Sequence, residues 1–267
     1  MKTTEIDNSK TVVNEKKAKP FSEWLVPFLV PLAILMIVVR VLITPAFAKI
    51  EYKMPGFPED PFGFTLEDRL KWSEPSIAYL VNTKGIESLQ ELTFDDGTPI
   101  YTADELSHME DVKAVVVWMR TVLSVLMLVL VLLTYSAVKK ERRLEMVAAF
   151  RWGAWATIGL IAVILVFVTV AFDNLFTWFH MLFFKSGTWM FYTSDTLIRL
   201  FPMRFWQDAF IAVGVLSVVV SGLILIATNP RPVRKVKAKA KPKSKAKIKT
   251  KARMNCTPKG GHEIKRA

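Results

Sequence analysis

Long apolar runs separated by short charged segments dominate the hydropathy pattern of this chain, and they predict four membrane-spanning helices. The first run, residues 24–46, carries one charge, Arg40. At 1.5 Å per residue a helix of this length reaches about 35 Å, enough for the hydrocarbon core of a bilayer. Pro27 and Pro31 fall in its first turns, where a missing N–H costs little, and Trp24 suits an interfacial anchor. Residues 112–138, 153–172 and 206–228 form the other three runs.

Between the first two spans, residues 47–111 follow shorter, mixed periods. Thr65-x-x-Asp68 is a variant capping box that opens a short helix through Trp72. Pro75 starts a second helix, 76–82, and Gly85 ends it. Residues 92–94 and 100–101 read as strands around an Asp96-Gly97 turn. Thr102-x-x-Glu105 then caps a helix that runs from Ala103 straight into the second span. Between the third and fourth spans, residues 172–206 are crowded with aromatics but broken by Lys185, Gly187, Asp195, Arg199 and Pro202. Such breaks do not belong in a plain span, so this stretch is expected to lie along one membrane face.

The net charge of +12 hides an asymmetry that sets topology. Residues 46–111 hold 14 acidic and 5 basic side chains, whereas 229–267 hold 15 basic and 1 acidic. The loop 139–152 is basic as well. The positive-inside rule puts that loop and the tail on one side, and four spans then place both termini in the cytoplasm. The expected architecture is an all-α membrane protein with four transmembrane helices and a small extracytoplasmic α+β cap. An interfacial aromatic segment and a disordered basic C-terminal tail complete it. The boundaries are a cytoplasmic segment 1–22, a membrane domain 23–228 and a cytoplasmic tail 229–267. The domain includes the cap 47–111 and the interfacial segment 173–206. The first apolar run is too long for a signal peptide and is expected to be retained.

This topology brings His108 and His180 to one compartment. On a helix, Asp104, Glu105 and Asp111 share the face of His108, where a carboxylate would fix the imidazole tautomer and raise its basicity. The alternative is a solvated helix start whose acids suit the positive dipole end. His180 lies among Phe176, Phe179, Phe183 and Phe184. It is either a desolvated, neutral imidazole or an ordinary member of an aromatic belt. Arg40 and Arg120 sit inside spans toward the outer leaflet, where charge is costly and tends to be functional. They either recognise a lipid phosphate or ester carbonyl, or pair with Asp173 and Asp208 to hold the bundle.

Cys256 is the one cysteine, and His108, His180 and His262 lack zinc spacing, so no cofactor or metal is expected. Gly-x-Ser-x-Gly, a phosphate loop and His-Glu-x-x-His are absent. The Lys-rich tail fits an anionic inner leaflet or simple solubility better than nucleic acid, because no aromatics are interleaved with its lysines.

One set of motifs carries a resemblance. It comprises Gly63-Phe-Thr-Leu-Glu-Asp-Arg-Leu70, Ser76-Ile-Ala-Tyr-Leu80, Glu105-Leu-Ser-His-Met-Glu-Asp-Val112, Phe179-His-Met-Leu-Phe-Phe184, Trp189, Asp195-Thr-Leu-Ile-Arg-Leu-Phe-Pro202 and Phe205-Trp206. With these the chain resembles a family of four-span bacterial membrane proteins, that of the lipoprotein intramolecular transacylase Lit, over roughly residues 24–228. The resemblance implies an enzyme of the bacterial cell membrane whose partners are diacylglyceryl-modified lipoproteins in the outer leaflet. The sn-2 acyl chain of the diacylglyceryl-cysteine moves to the α-amino group of that cysteine. By motif, the two catalytic histidines of the family match His108 and His180. Asp104, Glu105, Asp111, Asp195 and Arg199 are then expected to support them, and Arg40, Arg120 and Trp189 to bind lipid. The competing readings are a transferase or hydrolase acting on another membrane lipid, and a non-catalytic scaffold that recruits partners through its basic tail.

Overall fold

The structure, a computed structural model, describes residues 21–185 and 187–229. Expectations for residues 1–20 and for the basic tail from 230 onward lie outside the described residues. Nine helices follow one another among those described. They are α1 (Phe21–Leu42), α2 (Pro45–Glu51), α3 (Leu66–Val81), α4 (Glu87–Gln90), α5 (Ala103–Lys139), α6 (Arg143–Val170), α7 (Phe172–Phe183), α8 (Thr196–Leu200) and α9 (Met203–Ala227). Four of them, α1, α5, α6 and α9, are long and apolar enough to cross a membrane.

These four pack as a bundle around α1, which lies against α5, α6 and α9, while α6 also lies along α9. Val26, Val30, Ala33 and Ile34 of α1 meet Leu126 and Leu130 of α5 and Met146 and Ala149 of α6 in the core. The contact of α1 with α6 is close because Gly153 has no side chain. A Cβ there would fall 2.6 Å from Cβ of Val30. At 37 residues, α5 is about 55 Å long, far more than a bilayer core requires. Its apolar part begins at Val112, so its polar first turns stand above the membrane as part of the cap.

The sequence reading needs four corrections. The first span ends at Leu42 rather than 46, because Thr44 caps a new helix with Pro45 at its first position. The two short helices expected around Pro75 are one, α3. The carbonyl that Pro75 leaves unpaired belongs to the exposed Lys71, and the buried Trp72, Ser76 and Ile77 hold the helix on either side. The third span starts at Arg143, ahead of the expected 153. The cap is helical rather than α+β. Residues 92–100 close a tight turn at Gly97 (φ 82°), with Asp96 accepting from the Thr98 amide at 2.9 Å. Among the described residues only an isolated bridge, Thr93 to Pro99, forms. So short a hairpin, with no third strand beside it, builds no sheet.

The cap has two apolar centres. Trp72, Tyr79, Leu89, Ile100, Tyr101 and Met109 pack with Leu197 and Leu200 of α8. Ala48, Tyr52 and Ile77 pack with Phe205 of α9, and the Tyr52 hydroxyl donates to the Leu200 carbonyl at 2.9 Å. At the seam between α2 and α9, Glu51 is 4% exposed and its Oε1 has no partner among the described residues. Burial, and then a hydrogen bond and repulsion from Asp208, push its pKa up to about 7 against a smaller opposing pull from Arg204.

Two predictions follow from this packing. Gly153→Ala forces α1 and α6 apart and lowers thermal stability by about 1–3 kcal/mol, the usual cost of overpacking. Gly159→Ala, with open space around the new methyl, leaves stability unchanged or slightly higher. Denaturation in detergent compares the two. The Glu51 seam is strongest when Glu51 is protonated. Its contribution is full below about pH 4.5 and is lost as the pH rises through about 7. Glu51→Gln therefore flattens this part of the profile of melting temperature against pH, and an unchanged slope in the variant would refute the assignment.

Candidate functional site

The polar head of α5 begins at a complete capping box: Thr102 Oγ1 accepts from the Glu105 amide while Glu105 Oε2 accepts from the Thr102 amide at 2.8 Å. His108 stands one turn further on. Its partner arrives on α7, an aromatic helix that directly follows the third span and packs on it. Phe172 and Phe179 of α7 pack edge-on against Phe210 of α9, while Phe176 meets Trp206. His180 is thereby turned inward and is 8% exposed.

The two imidazoles face each other with ring centroids 6.3 Å apart and planes 22° from parallel. Aromatic rings surround them. Phe184 and Phe191 stand edge-on to His108 at 4.9 and 5.4 Å. Phe176 and Trp189 lie 4.0 and 4.8 Å from His180. His180 Nδ1 lies 2.8 Å from the Phe176 carbonyl, one helical turn back. A carbonyl only accepts, so Nδ1 carries the proton and the lone pair of the neutral ring is on Nε2. His108 Nδ1 is buried and has no partner among the described residues. The same holds for Trp189 Nε1.

Burial, and then the adjacent His180, push the His108 pKa down to about 4, with Asp111 pulling weakly the other way. Burial also lowers His180, partly offset by the Phe176 hydrogen bond. Both rings are neutral near pH 7. At 8% exposure His180 is a desolvated imidazole, as the first of its two readings expects, while the rings around it are those of an aromatic belt.

The expected supporting residues divide. Asp104 and Asp111 are exposed, and neither makes a hydrogen bond to His108 among the described residues. Glu105 turns away from His108, and its Oε1 accepts from the Leu197 amide of α8 at 2.7 Å. Asp195 accepts from the Tyr192 amide at 2.8 Å. Arg199 grips Asp60 at 2.9 Å and lies 3.4 Å above the Phe64 ring, so it braces the cap and does not touch the histidines. Burial works to raise Asp60, yet Arg199 and the Phe64 amide hold it below the ordinary carboxylate range.

Of the expected lipid-binding set, only Trp189 lies against the pair. Arg120 points to the Val81 carbonyl at 3.5 Å, and Arg40 is half-buried with no ion pair among the described residues. Asp208 pairs with Arg204 of its own helix, not with either span arginine, and Asp173 is exposed. Sequence reasoning missed Asp60, Phe191 and the Phe176 carbonyl. Only the last leaves a local signal, the four-residue spacing from Phe176 to His180.

Fold and site together define a multi-pass membrane protein with a pair of histidines, one buried and one half-buried, packed among aromatic rings. The sequence matches the family described as "Lipoprotein intramolecular transacylase Lit" over residues 24–206, and the chain belongs to that family of membrane enzymes. A relative from Aquifex aeolicus (strain VF5), described as an uncharacterized protein, is 28% identical over 186 residues, covering 70% of this chain and 83% of its own. Among solved structures, the in meso structure of the membrane integral lipoprotein intramolecular transacylase Lit from Bacillus cereus superimposes with a TM-score of 0.64 at 18% identity. It covers 77% of this chain and 92% of that one. A variant of the same protein with one histidine replaced by arginine gives a TM-score of 0.58 at 18% identity, covering 78% and 88%. These likenesses carry the fold.

The burial of the pair sets an expectation for NMR. In the intact protein both imidazoles titrate below 6.5, with His108 near 4. The pair's contribution to stability is present above 6.5 and is lost as the pH falls toward 4. Either ring titrating at or above 6.5 would contradict the desolvated pocket.

Proposed function

We propose that this enzyme moves the sn-2 acyl chain of a lipoprotein's diacylglyceryl-cysteine to the α-amino group of the same cysteine, with His108 and His180 sharing the proton work. The observation that carries this reading is the close, near-parallel pairing of two neutral imidazoles at the head of a span. Donor ester and acceptor amine belong to one molecule, so proximity is built into the substrate and no acyl-enzyme is needed.

His180 is the better base, because the Phe176 carbonyl supports its protonated form. Its Nε2 takes the proton as the amine nitrogen bonds to the ester carbonyl carbon. When the tetrahedral intermediate collapses, the bond from that carbon to the sn-2 oxygen breaks. The glycerol oxygen then receives the same proton, while His108 hydrogen-bonds to it. The pair ends as it began.

The basic loop 139–152 and the acidic cap favour a topology with both termini in the cytoplasm and the histidines outside, at the level of outer-leaflet esters. On that topology the Lys-rich composition of the tail suits the anionic inner leaflet.

His108→Ala and His180→Ala each lower the rate on the order of 10²–10⁴-fold while the protein stays folded and inserted. Mass spectrometry of lipoprotein N-termini from cells with and without each variant measures this. Equal amounts of N-acylated lyso-form lipoprotein in both would remove the transacylase reading. A chain cut after Asn229 keeps its activity, whereas a scaffold acting through its tail would lose its effect.

A further inference from the structure

Acyl transfer through a tetrahedral intermediate places a negative charge on the former carbonyl oxygen, and that charge needs a hydrogen-bond donor. The apolar pocket around the histidines offers few. Phe176, Phe184 and Phe191 have no polar side-chain atom, and His180 Nδ1 is already committed to the Phe176 carbonyl. The His108 ring N–H is assigned in the proposed mechanism to the departing glycerol oxygen, which leaves one further donor among the described residues around the pair. The Trp189 ring lies 4.8 Å from His180, and its Nε1 is buried with no acceptor among the described residues. An indole N–H only donates, and buried polar groups in folded proteins are nearly always satisfied. Here the donor faces no acceptor among the described residues and its ring sits beside the proposed base.

We infer that Trp189 is a third catalytic residue, whose Nε1–H hydrogen-bonds to the oxyanion of the tetrahedral intermediate. The inference rests on the acyl-transfer reading above and deepens it. No proton leaves the indole. As the amine nitrogen bonds to the carbonyl carbon, the carbonyl π pair moves to oxygen, and Nε1–H shortens its contact with that oxygen. On collapse the pair returns, the bond to the sn-2 oxygen breaks, and the indole is unchanged. The lipid-contacting role expected of Trp189 becomes a role toward the one atom of the ester that gains charge.

Two substitutions test this in the full-length enzyme with a synthetic diacylglyceryl-cysteine peptide, read by mass spectrometry. Trp189→Phe keeps an aromatic ring against His180 and deletes the N–H. Trp189→His brings a ring N–H to the equivalent position without the second ring. The Phe variant is expected to lose on the order of 10²–10³-fold in kcat with KM little changed, and the His variant to recover part of that loss. The inference is overturned if the Phe variant retains its kcat. It is also overturned if both variants lose alike and the loss falls in KM, which would make Trp189 a wall for acyl chains. The histidine variants separate the two claims. If they are inactive while Trp189→Phe is active, only this inference fails. If they are active, the acyl-transfer reading itself fails.

Discussion

One buried carboxylate fixes how the two halves of the site meet. Glu105 is 1% exposed and uses both oxygens, one on the Thr102 amide at the start of α5 and one on the Leu197 amide in α8. His108 is the next turn of α5, and Trp189 and Phe191 lie on the segment that leads into α8. Burial raises the pKa of Glu105, more than the bonds from Leu197 and Thr102 lower it. Hydrogen bonds to a charged group contribute about 1.5–3 kcal/mol each, and leaving the partner amides bare would cost as much again. The Thr196 hydroxyl donates to the Ile100 carbonyl at 2.6 Å beside it and locks the same joint. The aromatic roof is held from its far end by this contact, and from its near end by α7 against α9.

Within that frame, the electrostatics of the pair follow from burial and proximity. Each imidazole lies in an apolar shell, which disfavours its charged form, and each disfavours protonation of the other. Both rings therefore stay neutral near neutral pH, and a proton added to one opposes a second on the other. The Phe176 carbonyl breaks the symmetry by supporting the cation of His180 alone. Two residues of the same type thus differ in basicity through one backbone hydrogen bond. Glu51 titrates over the same range with the opposite effect on stability, so the pH response of the whole cap is a difference between the two.

The sequence was informative wherever one local physical rule decided the outcome. Apolar runs marked the four spans, and Thr65-x-x-Asp68 and Thr102-x-x-Glu105 marked two helix starts, because caps depend on residues three apart. Charge asymmetry put His108 and His180 in one layer before any contact was known. It could not show which way Glu105 faces. Its spacing fits both His108 and the helix cap, and the Leu197 amide that decides between them is 92 residues away. The Arg199–Asp60 pair, 139 residues apart, was equally invisible. Pro75 and the Asp96-Gly97 turn misled for a related reason. A proline can pass through a helix whose neighbours are buried, and a turn signal makes no sheet without further strands.

The aromatic pocket explains why so few polar atoms are left for chemistry. A diacyl substrate offers mostly hydrocarbon, and rings such as Phe184 and Phe191 match that surface without competing for hydrogen bonds. The cost is that polar atoms inside the pocket go unanswered by the protein. His108 Nδ1 and Trp189 Nε1 are two such atoms, each unfavourable by about 1–3 kcal/mol while it stays buried and unpaired. A substrate that brings an amine and an ester between the rings supplies partners for groups that the fold leaves open. Those partnerships are strongest when charge develops on the ester oxygen and the amine gives up its proton. On the proposed mechanism, the free energy held in the unpaired groups is recovered near the transition state, where it raises the rate, more than in the ground state, where it would only tighten binding.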